Sequence, residues 1–175
     1  TSLPNPSTIR IGVKPDGRFV LHQGAVDIGQ GSNTVIAQIA ADALGVPIAA
    51  LDRVGPDTDL TPDCGKTSAS RQTFVTGKAA ELAGRALRRA MLRLANAGGD
   101  AKLDVADGRL IVIEDAVVRA VILERQPQDA HGYVLCAEET FDPPTAPLDQ
   151  DGQGIPYAVY GYGAHLAEVE VDLDL

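Results

Sequence analysis

The chain has 175 residues, of which 45% are hydrophobic, and a formal net charge of −9. A folded chain of this length buries roughly 70% of the surface it would expose unfolded, enough for one compact unit or two small lobes. The acidic balance, without a run of Lys or Arg, argues against nucleic acid or an anionic membrane as partner, and no apolar stretch is long enough to cross a bilayer.

In chain order, segments 9–13 and 19–22 flank Lys14-Pro15-Asp16-Gly17-Arg18, a turn signal that predicts an opening β-hairpin. A helix is predicted over 32–44, with Val35, Ile36, Ile39, Ala40, Ala43 and Leu44 on one face and Gly45 and Pro47 ending it. A strand near 50–54 follows, then an irregular loop of Gly, Pro, Asp and Thr from 55 to 70. The clearest element is a long helix carrying Val75, Ala79, Leu82, Ala83, Leu87, Met91 and Leu94 at three- and four-residue steps, ended by Gly98-Gly99. Segments 103–105 and 109–113, joined by Ala106-Asp107-Gly108, predict a second hairpin, and 117–125 reads as either strand or helix. Residues 126–156, with five prolines, read as a surface loop. Alternation of Val169, Val171 and Leu173 with Glu168, Glu170 and Asp172 predicts a last strand over 157–173. The expectation is an α+β fold of mixed strands and two principal helices, with a lobe at 1–97 and a strand-rich remainder at 98–175.

Two turns carry the chemistry. Asp27-Ile28-Gly29-Gln30-Gly31 feeds the first helix, and Thr67-Ser68-Ala69-Ser70-Arg71-Gln72-Thr73 feeds the second. A helix start has backbone N–H groups without intrahelical partners and partial positive charge, so paired turns of this kind suit a phosphate-bearing cofactor. Gly29 and Gly31 permit close backbone approach, and Gln30 offers both a donor and an acceptor. Ser68, Ser70, Arg71, Gln72 and Thr73 add hydroxyl, amide and backbone donors. Taken singly, a Gly-Gln-Gly tripeptide is usually a tight turn, and a Ser/Thr-rich helix start is usually capping. A P-loop ending at Gly65-Lys66-Thr67 is excluded because position 60 is Leu60, where that motif needs glycine. His22, His131 and His165 lack partners at ligand spacing and read as structural or solvated, as does Tyr160-Gly161-Tyr162-Gly163. Cys64 and Cys136 form neither a disulfide framework nor a zinc or iron–sulfur motif, so reduced cytoplasmic thiols are expected.

The order of Asp27-Ile28-Gly29-Gln30-Gly31, the helix from Thr34 to Gly45, Asp57-Thr58-Asp59 and Ser68-Ala69-Ser70-Arg71-Gln72-Thr73-Phe74-Val75-Thr76-Gly77 resembles the molybdopterin-binding subunit of the xanthine dehydrogenase and aldehyde oxidase family. The resemblance covers about residues 8–97 and returns at Tyr160–Asp172, and 98–156 match loosely. Pro62-Asp63-Cys64-Gly65 together with Ser-Ala-Ser-Arg-Gln-Thr is most similar to the split subunits of nicotinate dehydrogenase.

That resemblance implies a molybdenum hydroxylase, which oxidises an aldehyde or N-heterocycle with oxygen from water. The metal is then held by molybdopterin, in its cytosine dinucleotide form, and not by protein side chains. The implied cofactor-binding residues are Gly29, Gln30, Gly31, Ser68, Ser70, Arg71, Gln72 and Thr73, with Gln30 on the pterin and Ser70 and Gln72 the most direct matches in the second turn. Relatives carry Ser at the position of Gln72, whose amide can still donate to phosphate. Implied partners are the rest of the molybdopterin-binding domain or subunit, an iron–sulfur (2Fe-2S) subunit, an FAD subunit and a small-molecule substrate. The family's catalytic base, a glutamate in a Gly-Glu-Pro motif, has no counterpart here, so no catalytic residue and no metal ligand is assigned. With no initiator Met and an end inside an alternating pattern, the chain reads as part of a longer or split subunit, inactive alone. The alternative is a cofactor-free assembly module on the same scaffold.

Overall fold

Residues 4–159 and 163–174 are described in the computed structural model of the chain. The fold is α+β, with one four-stranded sheet, one three-stranded sheet and two principal helices. β1 (Ser7–Val13) and β2 (Phe19–His22) form the opening antiparallel hairpin. α1 (Ser32–Leu44) then crosses back, and a 3-10 turn at Ile48–Ala50 leads into β3 (Leu51–Val54), which runs parallel to β2. A parallel neighbour needs such a crossover because a tight turn cannot reverse the chain twice. A π-turn over Gln72–Thr76 runs into α2 (Gly77–Leu94).

β4 (Lys102–Ala106), β5 (Arg109–Glu114) and β6 (Val117–Ile122) make the second, antiparallel sheet. Asp107 (φ 50°) and Gly108 (φ 67°) both lie in the left-handed region, as the two-residue turn between β4 and β5 requires. The ambiguous segment 117–125 is therefore strand, closed by a 3-10 turn at Leu123–Arg125.

The alternating face Ile9, Ile11 and Val13 of β1 is fully buried, together with Phe19 and Leu21 of β2. Ile36 and Leu44 of α1 and Leu87 and Met91 of α2 complete this core, which also takes in Leu110, Val112 and Leu123 from the second sheet and its closing turn. α1 and α2 meet almost at backbone contact. A Cβ on Gly84 would lie 2.7 Å from the Ala43 Cβ and 3.0 Å from the Ala40 carbonyl oxygen, so only glycine lets the helices approach this closely. No helix among the described residues is long and apolar enough to cross a membrane.

Two expectations are corrected. The segment 126–156 is not all loop, because β7 (Leu135–Phe141) lies within it and pairs antiparallel with β1 from Ser7↔Phe141 to Val13↔Leu135, giving the sheet order β3-β2-β1-β7. The flanking prolines hid a strand whose partner lies over 120 residues upstream, and long-range pairing of that kind leaves little trace in local composition. Conversely, the described residues of 157–173 form no strand, and Leu166, Val169, Val171 and Leu173 are exposed. Alternation specifies which face a strand would bury, but a strand also needs a paired backbone. His165 consequently lies outside any strand, and Tyr160-Gly161-Tyr162 lies outside the described residues.

Candidate functional site

The Gly-Gln-Gly turn hangs between the end of β2 and the start of α1. Gly29 (φ 107°) and Gly31 (φ 78°) adopt left-handed backbone that side chains disfavour, and both are exposed with open space where a Cβ would stand. Asp27 organises the turn. Its carboxylate accepts from Gly29 N (2.8 Å) and Gly31 N (3.3 Å) through Oδ1, and from Asn33 N (3.1 Å) through Oδ2. These backbone donors, Asn33 foremost, hold the Asp27 carboxyl below its ordinary pKa. The anion at the start of α1 is thus the protein's own carboxylate, which leaves this turn poorly suited to a phosphate. Gln30 remains exposed, with its Oε1 accepting from Ile28 N (2.7 Å) and its Nε2 donating to Ser32 Oγ (3.1 Å) and Val26 O (3.4 Å).

The second turn is built differently. Ser68, Ser70 and Thr73 are exposed, and Ala69 (φ 49°) takes the left-handed conformation between the two serines. The helical run that begins after Arg71 has no side chain capping its first N–H groups and no acidic residue in its first turn. Arg71 itself is 1% exposed. Its Nε donates to Asn5 Oδ1 (2.5 Å), Nη1 to the carbonyls of Cys64 and Lys66, and Nη2 to those of Asn5 and Pro6. Burial pushes its pKa below the ordinary value, yet a guanidinium stays charged in proteins. Arg71 therefore fastens the 64–66 loop to the segment before β1. Gln72 is also buried, at 4% exposure, and donates through Nε2 to Thr67 Oγ1 (3.0 Å) and Lys66 O (3.3 Å).

The fold brings the two turns together at one atom. Thr67 Oγ1 donates to the Val26 carbonyl oxygen (2.7 Å), which also receives Gln30 Nε2. Beside this junction lies an open cleft of about 470 Å³ with Gly24, Val26, Thr58, Thr61, Asp63 and Cys64 among its walls. The Asp57-Thr58-Asp59 segment closes one side, shaped by Asp57 Oδ1 accepting from Asp59 N (2.9 Å) and Leu60 N (3.0 Å). His22 anchors the same loop. Its Nδ1 donates to the Leu60 carbonyl (3.0 Å), which fixes the neutral tautomer with Nε2 accepting from the Tyr133 hydroxyl (2.5 Å), and burial lowers its pKa. At the cleft floor the buried Cys64 thiol donates to Thr8 O and accepts from Gly24 N, both at 3.1 Å, and burial raises its pKa. Among the described residues no three His, Cys, Asp or Glu side chains converge as a metal-binding group.

Gln30, Gln72 and, through Thr67, the second turn thus meet, with Ser68 and Ser70 on the exposed stretch immediately beyond. Arg71 points away into the interior. Sequence reasoning did not single out Asp27 as the organiser of the first turn, although an Asp five residues before a helix start and two before a glycine is an Asx-turn signal. It also passed over Gln23. That side chain is fully buried and donates to Asn33 Oδ1, while its Oε1 has no hydrogen-bond partner among the described residues. A wholly buried acceptor left unused is costly for a segment that serves packing alone.

The sheets, the two packed helices and the two turns that meet at the Val26 carbonyl define an α+β domain with a cleft beside that junction. A family model for the molybdopterin cofactor-binding domain matches residues 1–175, and the chain belongs to that family. Xanthine dehydrogenase of Oryza sativa subsp. japonica is 28% identical over 172 residues, covering 98% of this chain and 11% of the rice protein. Subunit gamma of the 6-hydroxypseudooxynicotine dehydrogenase complex of Paenarthrobacter nicotinovorans is 30% identical over 166 residues, covering 90% of this chain and 20% of that subunit. The crystal structure of a Cu,Mo-CO dehydrogenase superposes with a TM-score of 0.59 at 26% identity, over 78% of this chain and 18% of that one. Aldehyde oxidoreductase of Desulfovibrio desulfuricans ATCC 27774 shares the fold, with a TM-score of 0.64 at 23% identity over 89% of this chain and 15% of that one. The chain spans between about a tenth and a fifth of the length of these proteins.

Proposed function

We propose that this domain forms one side of the molybdopterin site in a molybdenum hydroxylase that uses water to oxidise an aldehyde or an N-heterocycle. The observation that carries the reading is the junction at the Val26 carbonyl, where turns some 40 residues apart in sequence converge beside a cleft. The residues fit the group. Gln30 stands exposed on a glycine turn with its Nε2 hydrogens held by Ser32 and Val26, so its Oε1 keeps one lone pair for a pterin donor, while Asp27 disfavours phosphate there. The uncapped second helix start, with Ser68, Ser70 and Thr73 exposed before and within it, suits the phosphates of a cytosine dinucleotide form.

When bound, the cofactor supplies the metal that accepts two electrons from the substrate carbon. This chain's residues bind and orient. Gln30 and the two flanking glycines present a rigid hydrogen-bonding edge, Ser68 and Ser70 donate hydroxyls, and Gln72 and Arg71 hold the second turn in place from beneath. The catalytic base and the rest of the pterin site belong to the remainder of the molybdopterin-binding domain or subunit. An iron–sulfur (2Fe-2S) subunit and an FAD subunit would carry the electrons away. The complex subunit from P. nicotinovorans supports a multi-subunit arrangement. Alone, the 175-residue chain should bind cofactor weakly and show no hydroxylase activity.

The test is Gln30→Ala in the assembled enzyme. Removing one hydrogen bond to a buried cofactor costs roughly 1–3 kcal/mol, enough to lower molybdenum occupancy or turnover about tenfold. Because Gln30 is exposed and its hydrogen bonds stay within its own turn, the chain should still fold, with a melting point lowered by a few degrees at most. Unaltered molybdenum content and turnover would instead favour a cofactor-free assembly module.

A further inference from the structure

The hydrogen bonds beneath the second turn run in one direction, and that direction is determined by groups that can only accept. Lys66 O and Val26 O are carbonyls, so Gln72 must turn its NH2 toward Lys66 and Thr67 must aim its hydroxyl proton at Val26. Thr67 Oγ1 then accepts from Gln72 Nε2. At the other end of the same amide, Gln72 Oε1 accepts from Thr76 Oγ1, which leaves Thr76 to accept from Ser7 Oγ (2.8 Å). Thr67 and Thr76 each donate once and accept once, and Ser7 donates at the head of the chain. Ser7 in β1, Thr76 and Gln72 in the π-turn, Thr67 in the loop and Val26 beside Gln30 form a single chain, and Ser7, Gln72 and Thr76 are buried.

We propose that Gln72 and Thr67 are positioning residues that lock the Gly-Gln-Gly turn to the second turn, and that neither touches the cofactor. Burial keeps Gln72 from reaching a ligand in the cleft, whereas its bond to Thr67 fixes the Val26 carbonyl that Gln30 Nε2 also uses. The side chain fits no shorter residue, because a serine hydroxyl at 72 could not span from Thr76 to Thr67. The inference rests on the assignment of Gln30 to the cofactor, and its test separates the two.

In the free 175-residue chain, amide exchange by NMR at Ile28, whose N–H bonds Gln30 Oε1, reports how firmly the first turn is held. Thr67→Val keeps the shape and removes the hydroxyl, Thr67→Ser restores it, and Gln72→Met removes the amide. Loss of one or two hydrogen bonds should speed Ile28 exchange about threefold to tenfold in Thr67→Val and Gln72→Met, with Thr67→Ser near wild type. In the assembled enzyme the same two variants should lower molybdenum occupancy, and Thr67→Ser should rescue it. Ile28 exchange unchanged in both variants overturns the proposal. So does faster exchange with undiminished occupancy, provided Gln30→Ala lowers occupancy; if Gln30→Ala does not, the cofactor reading itself has failed. Should Gln72→Met fail to fold, the Thr67 pair carries the test alone.

Discussion

The two turns resemble each other in composition and differ in where their charge comes from. The first is already filled, since the Asp27 carboxylate takes the N–H groups of Gly29, Gly31 and Asn33. The second has no side chain on its first helical N–H groups, and its charged residue, Arg71, is buried beneath and turned toward carbonyls. One turn therefore presents an amide with its anion built in, and the other presents a cationic helix start held from behind. A glycine- or serine-rich helix start is not by itself an anion site, because the protein can supply the anion.

The largest expected effect comes from removing the hidden support of the second turn. Arg71→Met preserves bulk but strips the guanidinium donors from the buried Asn5 side-chain oxygen and the buried carbonyls of Asn5 and Cys64. Unsatisfied buried acceptors cost about 1–3 kcal/mol each, so urea unfolding of the chain should show a loss of about 3 kcal/mol or more. Arg71→Lys should recover little, because an ammonium cannot reproduce the planar fork. A loss within about 0.5 kcal/mol of wild type would mean that the guanidinium holds nothing in place.

A smaller effect tests the open character of the second turn. Ser70→Asp places there the kind of carboxylate the first turn already has, next to the helix start. Stability should hold or rise slightly, since acids favour a helix start by about 0.3–1 kcal/mol. Molybdenum occupancy in the assembled enzyme should fall about tenfold through repulsion of the cofactor phosphates, equivalent to about 1.4 kcal/mol. Equal occupancy in Ser70→Asp and wild type would remove the phosphates from this turn.

How legible each part was in the sequence follows from the range of the interactions. Hairpin turns, the apolar stripe of α2 and the ends of α1 depend on neighbours a few residues away, and they stand in the structure as read. β7 depends on β1, over 120 residues upstream, and was masked by prolines that lie beside the strand and not within it. The segment before Leu173 showed the reverse, a strand pattern without a paired backbone. At the candidate site the two turns picked out by residue type meet at the Val26 carbonyl, but residue type carried no information about which side chains face inward. Arg71 and Gln72 are polar residues in a polar loop, which usually means exposure, yet carbonyls converging from residues 5, 6, 64 and 66 draw them inward. Such convergence is a property of the folded loop and has no local signature.

The smallest expected effect tests the filled turn through its charge. The folded pKa of Asp27 is depressed, so its contribution is fully present above the unfolded carboxylate value of about 3.9 and is lost as pH falls through the folded value. Asp27→Asn should therefore melt a few degrees below wild type at neutral pH, since its single amide oxygen can take the Gly29 and Gly31 N–H groups without the charge but leaves the Asn33 N–H facing an NH2 group. Below the folded pKa the wild-type side chain is also neutral, and the two melting curves should converge. The gap at neutral pH should also narrow in high salt, as the exposed carboxylate is screened. A gap that persists unchanged from neutral pH into strong acid would assign Asp27 a role of shape alone, and the contrast in charge between the two turns would then no longer support the proposal that the second turn, and not the first, takes phosphate.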